Sequence, residues 1–399
     1  MYRIPFLRRA LSTSSRSPYA HSSKFLPPSV APHSVTIGEL TTFTLPCQVD
    51  GTETNRTLGK LMVDTWRKDG IFQVNLTDNQ GSEFGEAFEL SKDYFKRPVS
   101  EKEKHVDDQS FSGYIASGEE ITDGIADYSE IFTITKDLPL SDSRVQQKWP
   151  CHGPCPWPDR RYEMTMKGLM ALFGECGEKI LHLTALGLGL ANPRSLTSLT
   201  DDGWHHMRVL RFPQTNKTNG KGKPSRGIGA HTDYGLLVLA AQDDVGGLFV
   251  RPPVSGESIR NWEKYSGGHK ENDDNWSFVP PVKNVLTVFP GKFNICVYGP
   301  GYLKQLLGDM MQYMTNDYLP STPHKVVLNT RERYAFAYFH EPNFSSVVQP
   351  LPEYGGQGQG IHYGKHFTDM FMRNYPERVT AKRMRAEDRV NTWEKLRTN

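Results

Sequence analysis

The sequence predicts an α+β protein whose core is a double-stranded β-helix, or jelly roll, with helices packed around it. Three observations carry that expectation. From His206 to His340, short apolar runs recur between polar, glycine-bearing loops, with no helical periodicity between them, as in an antiparallel barrel or jelly roll. Before them, Asn55–Asp69, Glu83–Lys96 and Tyr162–Leu190 place apolar residues at helical spacing. After them, Tyr363–Leu396 is again helical, broken near Pro376. The expected division is a presequence or tail over 1–34, a mostly helical region over 35–195, the jelly-roll core over 196–345 and a helical region over 346–399.

Composition narrows the class. The chain has 399 residues, 37% of them hydrophobic, and a formal charge of +2. The first 38 residues hold Arg3, Arg8, Arg9, Arg16 and Lys24 and no acid. The remainder is therefore slightly acidic and a poor partner for nucleic acid. No apolar run reaches the ~18 residues of a membrane span. Residues 1–34 are Arg- and Ser-rich in the manner of a mitochondrial presequence, so the expected location is mitochondrial or cytoplasmic. Five widely spaced cysteines argue for free thiols rather than a disulfide framework. Cys151 and Cys155 lack the second ligand pair of a zinc site. No interface stripe stands out, and a monomer is expected.

In chain order, Val35–Val49 reads as an extended entry strand. A helix over Asn55–Asp69 is capped by Asn55, buries Leu58, Leu61, Met62 and Trp66, and stops at Gly70. Ile71–Leu76 alternates as a strand, and Glu83–Lys96 is a helix ended before Pro98. The strands expected next are His206–Phe212, the run into His231-Thr-Asp233, Gly247–Val250, Trp276–Val279, Val285–Phe289 and Tyr334–His340. The basic run Lys382, Arg383, Arg385 and Arg389 reads as a solvated face.

The chemistry concentrates in His231-Thr-Asp233. On a strand, residues two apart point to one face, so imidazole and carboxylate would converge. With His324 downstream they make the two-histidine, one-carboxylate set of a non-haem Fe(II) oxygenase. Arg333, nine residues on, is placed to grip a carboxylate with both arms of its guanidinium. Three protein ligands leave metal positions for a 2-oxo acid and O2. His231, Asp233, His324 and Arg333 together suit Fe(II), O2 and 2-oxoglutarate.

The segments SGYIASGEEIT, WPCHGPCPWP, DGWHHMRVLRFP, RGIGAHTDYGLLVLAAQDDVGGLFVRPPV, STPHKVVLNTRERYAFAYFHEPNF and HYGKHFTDMFMRNYP resemble the 2-oxoglutarate/Fe(II) dioxygenase superfamily, isopenicillin N synthase-like in fold, and within it the ethylene-forming enzymes. The resemblance runs from about Thr41 to the C-terminal helix. Where the superfamily usually has Arg-x-Ser, this chain has Arg333-Tyr334-Ala335, as the ethylene-forming family does. The resemblance implies two reactions. In one, 2-oxoglutarate and O2 give ethylene and CO2. In the other, 2-oxoglutarate gives succinate while L-arginine is hydroxylated at C5 and collapses to guanidine and pyrroline-5-carboxylate. It also implies roles. His231, Asp233 and His324 hold iron, and Arg333 holds the distal carboxylate of 2-oxoglutarate. Arg208 meets the metal-proximal carboxylate, and Phe339 and Phe367 line the apolar part of that pocket. L-Arginine is held by Glu120, Thr122, Tyr234 and Arg373. Asn374 departs from the family's Cys beside Arg373. Of His205 and His206, alternation lets one face the site.

Between Gly291 and Asp309 stand Lys292–Gly308, about seventeen residues the family lacks. Gly-Lys-Phe can be encoded as GGT-AAG-TT, which contains the splice donor GTAAGT. Leu307-Gly308 can be encoded as CTA-GGT, which contains an acceptor. The segment therefore reads as a retained intron, placed where it would disturb His324. The competing expectations are a 2-oxoglutarate-dependent hydroxylase of arginine or another small molecule with little ethylene output, and an inactive small-molecule-binding relative.

Overall fold

Inward and outward residues alternate along each barrel strand, and both faces are covered. On His206–Phe212, Met207 and Val209 face the helices while Leu210 and Phe212 face the barrel interior. The same parity sends Arg208 inward. On Arg333–His340, Ala335 and Phe339 point in and Tyr334, Phe336 and Tyr338 pack outward. The computed structural model describes residues 25–30, 36–233, 235–254, 271, 274–290, 294–296, 305–307 and 310–398.

Two sheets form the jelly roll. The larger has eight strands in the order Thr42–Thr44, Phe72–Asn75, Val285–Pro290, Leu237–Gln242, Arg333–His340, His206–Phe212, Glu130–Ile134 and Gly113–Ile115. The smaller has five: Thr36–Ile37, Ser277–Phe278, Leu248–Val250, His324–Val327 and Arg226–His231. Val238, Phe289, Leu248 and Val326 meet in the interior between the sheets. The region before 195 thus contributes four strands to the large sheet as well as helices, because Phe72–Asn75 and Glu130–Ile134 complete its hydrogen-bond ladders. The expected Val35–Val49 strand is two short strands in different sheets.

Helices Glu53–Asp69, Asp78–Phe95 and Arg160–Gly187 wall the outer face of the large sheet. The first is capped by Thr52, not Asn55. Asn55 lies inside the first turn and donates to Asp50. Leu61 sits off the buried stripe and is 45% exposed. The second starts at a Thr77/Gln80 capping box, earlier than its apolar spacing suggests, because Gln80 and Thr77 satisfy the first-turn N–H groups reciprocally. Gly70, at φ 77°, ends the first helix in the left-handed region. Arg389 departs from the solvated basic face: it is buried and paired with Glu387.

Cys151 and Cys155 are separately buried, the first against Met384 and the second against the Thr135 carbonyl. Within Lys292–Gly308, Asn294–Cys296 and Gln305–Leu307 pair as an antiparallel ladder; the rest of that segment, like residues 1–24 and 31–34, lies outside the described residues. His324 stands directly opposite His231, with the register of that strand pair shifting between His324 and Val326 and again between Val326 and Val327.

Gly59 and Gly187 let the first and third helices touch backbone to backbone. A Cβ at Gly59 would lie 2.1 Å from the Leu183 carbonyl oxygen. Gly59→Ala should destabilise the protein by about 1–3 kcal/mol, read as a lower urea midpoint. An unchanged midpoint would mean these helices separate without cost.

Candidate active site

The small sheet brings His231 and His324 together as direct partners across antiparallel strands. Their rings lie 4.3 Å apart. The strand ends at His231, so Asp233 joins them from the following turn and not from a shared strand face. Gly235, at φ 129°, supports that turn: a Cβ there would lie 1.8 Å from the Glu341 carboxylate. Glu341 in turn accepts from the Leu236 N–H.

Asp233 Oδ1 lies 3.5 Å from His231 Nε2, and Oδ2 3.2 Å from His324 Nε2. The ligand atoms of all three residues lie within 4.8 Å of one another. His231 Nδ1 donates to the Gly229 carbonyl at 2.8 Å and His324 Nδ1 to the Thr322 carbonyl at 3.2 Å. Both Nε2 atoms therefore face the carboxylate, the orientation metal-binding imidazoles take. Burial would raise the Asp233 carboxyl, but the two histidines hold it far below the usual range. Burial would lower His231, but Asp233 outweighs it and raises it.

Two cavities adjoin this point. The inner one, about 80 Å³, is lined by His231, Asp233, His324, Arg208, Arg333 and Phe339 among others. Arg333 is 4% exposed. It donates to the Gln242 amide oxygen at 3.2 Å and lies over the Phe212 ring. Its Nε has no hydrogen-bond partner and no carboxylate forms a salt bridge with it among the described residues. Burial lowers its pKa to about 10, opposed by the more distant Asp243. A buried guanidinium so poorly matched fits the far carboxylate of a small diacid.

The outer cavity, about 320 Å³, shares His231, Asp233, Arg208 and Phe339 with the inner one. It adds Glu120, Thr122, Phe367, His206 and Asn374. Phe339 therefore borders both chambers and Phe367 the outer alone. His206 faces the site, while His205 stacks on His340. Arg208 turns toward Glu120 in this structure. Arg373 is exposed on the last turn of Tyr363–Asn374 and does not line the cavity, although it is near enough to help lower His366. Tyr234 lies outside the described residues.

Sequence reasoning missed Asp127, Tyr375 and Glu341. Asp127 lines the outer cavity, is 1% exposed, and accepts from Thr122 and from the Gly229 N–H. Burial pushes its carboxyl up to about 6, against Thr122 and Arg226. The Asp123-Gly124 turn just before it, both residues at positive φ, is the legible signal: a tight hairpin sends the next acid back under itself.

A jelly roll that gathers two histidines and an aspartate beside a buried arginine defines the mononuclear non-haem Fe(II) oxygenases that use a 2-oxo acid. The 2OG-Fe(II) oxygenase superfamily matches residues 204–342, and the N-terminal region of the non-haem dioxygenase in morphine synthesis matches residues 44–160. The 2-oxoglutarate-dependent ethylene/succinate-forming enzyme of Ralstonia nicotianae is 52% identical over 349 residues, 87% of this chain and 95% of that one. A homoarginine-6-hydroxylase of Glycine max is 29% identical over 73% of this chain and 81% of that one. Among solved structures, a full-length Neurospora crassa protein in complex with alpha-KG and thymine superposes with a TM-score of 0.65 at 21% identity, covering 86% of this chain and 99% of that one, and shares the fold. The chain belongs to the 2OG-Fe(II) oxygenase superfamily and, within it, to the family of the ethylene/succinate-forming enzyme. It is an Fe(II)- and 2-oxoglutarate-dependent dioxygenase.

Asp233→Ala should abolish Fe(II) retention in anaerobic dialysis while the circular dichroism spectrum stays native; undiminished iron would remove Asp233 from the ligand set. Asp127 gives a pH signature in the metal-free protein. Its folded pKa lies above the unfolded value, so the folded state binds the extra proton and is favoured as pH falls. The stability of the wild type relative to Asp127→Asn should therefore rise between pH 7 and pH 4, by up to about 3 kcal/mol. A pH-independent difference in urea unfolding would show Asp127 to be ordinary.

Proposed function

We propose that this enzyme converts 2-oxoglutarate and O2 to ethylene and CO2 in the presence of L-arginine. In a second outcome at the same site it hydroxylates L-arginine at C5 with formation of succinate, giving guanidine and pyrroline-5-carboxylate. One observation carries the reading. Two cavities of opposite character meet at His231 and Asp233, the inner bordered by the under-partnered Arg333 and the outer by Glu120 and Asp127. A diacid suits the first and a cationic guest the second. The identity with the ethylene/succinate-forming enzyme supports the same pairing.

His231, Asp233 and His324 would hold Fe(II), which when bound supplies the redox chemistry that joins O2 to decarboxylation of the 2-oxo acid. Arg333 fixes the far carboxylate of 2-oxoglutarate and so sets which end faces the metal residues. Phe339, with Ala335 and Ala337 on the same strand, gives the carbon chain an apolar bed. Glu120 and Asp127 bind the substrate guanidinium, with Thr122 between them. Tyr234 and Arg373 are assigned to the same substrate, Arg373 to its carboxylate. Arg373 has to turn inward from its exposed position, and Asn374, which does line the cavity, stands nearer.

A hydroxylase reading with little ethylene is favoured by one observation, the similarity to a homoarginine-6-hydroxylase. Residues 1–34 are proposed as a mitochondrial address, and Lys292–Gly308 as a retained intron that a cDNA read would lack.

The deciding measurement is anaerobic titration with Fe(II) and 2-oxoglutarate, followed by admission of O2 with and without L-arginine and gas analysis of the headspace. Arginine-dependent ethylene is expected. Succinate without ethylene would hand the case to the hydroxylase. Arg333→Leu should raise the KM for 2-oxoglutarate roughly a hundredfold, the scale of losing one partner of a buried charge pair; an unchanged KM would mean the diacid binds elsewhere.

A further inference from the structure

Arg208 borders both cavities. From the middle of the His206–Phe212 strand its guanidinium spans both Glu120 oxygens, with Nη1 at 3.4 Å from Oε2 and Nη2 on Oε1. The same Nη2 donates to the Tyr375 hydroxyl, which donates onward to Glu120. The Tyr375 ring is fixed between Phe371 and Phe111 at the end of the Tyr363–Asn374 helix. Glu120 is 8% exposed. Its two oxygens are therefore already used by a guanidinium that belongs to the protein.

We propose that Arg208 is a displaceable partition between the chambers, held outward by Glu120 and Tyr375, and that a guanidinium substrate binds by taking its place on Glu120. This rests on the reading of the outer cavity as the site of L-arginine. Two guanidinium groups cannot both span one carboxylate, so the incoming group releases Arg208. The released side chain has one other wall to lie along, that of the inner cavity. Without a diacid, that position gathers Arg208 and Arg333 in one buried space whose one lining carboxylate among the described residues, Asp233, belongs to the metal ligands. With 2-oxoglutarate present, a carboxylate receives it. Each small molecule thus favours the other by moving one side chain, and the coupling is reciprocal. Tyr375 is a positioning residue: it touches Arg208 and Glu120 and biases the partition outward.

The test measures 2-oxoglutarate affinity by anaerobic calorimetry with Mn(II) in place of Fe(II), with and without saturating L-arginine. In the wild type, L-arginine should tighten 2-oxoglutarate about tenfold or more. Tyr375→Phe loosens the outward hold. It should tighten 2-oxoglutarate severalfold in the absence of L-arginine and shrink the enhancement by L-arginine. A variant damaged in its packing would weaken both ligands instead. Arg208→Gln should bring the enhancement close to onefold. Full enhancement in Arg208→Gln, or a Tyr375→Phe protein that binds 2-oxoglutarate no more tightly than the wild type, would overturn the partition. Titration of L-arginine alone into the Mn(II) protein tests the underlying reading separately. Absence of binding would refute the outer-cavity assignment and with it the substrate's part in the displacement, whereas the arginine-free Tyr375→Phe comparison still decides whether Arg208 is held outward.

Discussion

Two backbone carbonyls, those of Gly229 and Thr322, determine how the site histidines present themselves. A carbonyl oxygen only accepts, so each Nδ1 must carry a proton and each Nε2 is the ring nitrogen turned toward Asp233. Each carbonyl lies two residues before its histidine, and the two histidines face each other across one antiparallel pair of strands. The sheet therefore fixes both the spacing and the tautomers of the site. The turn carrying Asp233 adds the third group, and Glu341 beneath Gly235 holds that turn down. The site follows from closure of the barrel and needs few residues of its own.

The same economy appears in the charges. Arg208 and Arg333 enter the barrel from neighbouring strands because alternation points both inward, yet their surroundings differ. Arg208 is saturated by Glu120 and Tyr375, and although burial lowers its pKa, those partners raise it further. Arg333 has a neutral amide and an aromatic face, and burial wins. One cation is balanced by the protein and the other is left for a ligand.

Much of this was legible in the sequence. Period-2 alternation located His206–Phe212 and the inward side of Arg208, and the spacing of His231, Asp233, His324 and Arg333 picked out residues that fold around one point. What alternation could not give was the end of the strand at His231, because a turn is decided by backbone that Gly235 permits and by a glutamate more than a hundred residues away. Asp127 and Tyr375 escaped for the same reason. Tyr375 meets Glu120 across 255 positions, and nothing local to either announces it. The Thr52 cap and the burial of Arg389 were likewise settled by partners that apolar spacing does not register.

The cysteines have a bearing on durability. An enzyme that handles O2 beside a redox metal generates stray oxidants, and thiolates are their readiest protein targets. Burial pushes Cys155 up to about 12 and Cys176 up to about 11, and Cys151 higher still. These three thiols remain un-ionised and shielded, so they offer little for such oxidants to attack. Among the described cysteines Cys47 alone is exposed. It lies just past the Thr42–Thr44 strand at the outer edge of the large sheet. Among the described cysteines, oxidative wear would thus begin at the edge of the large sheet.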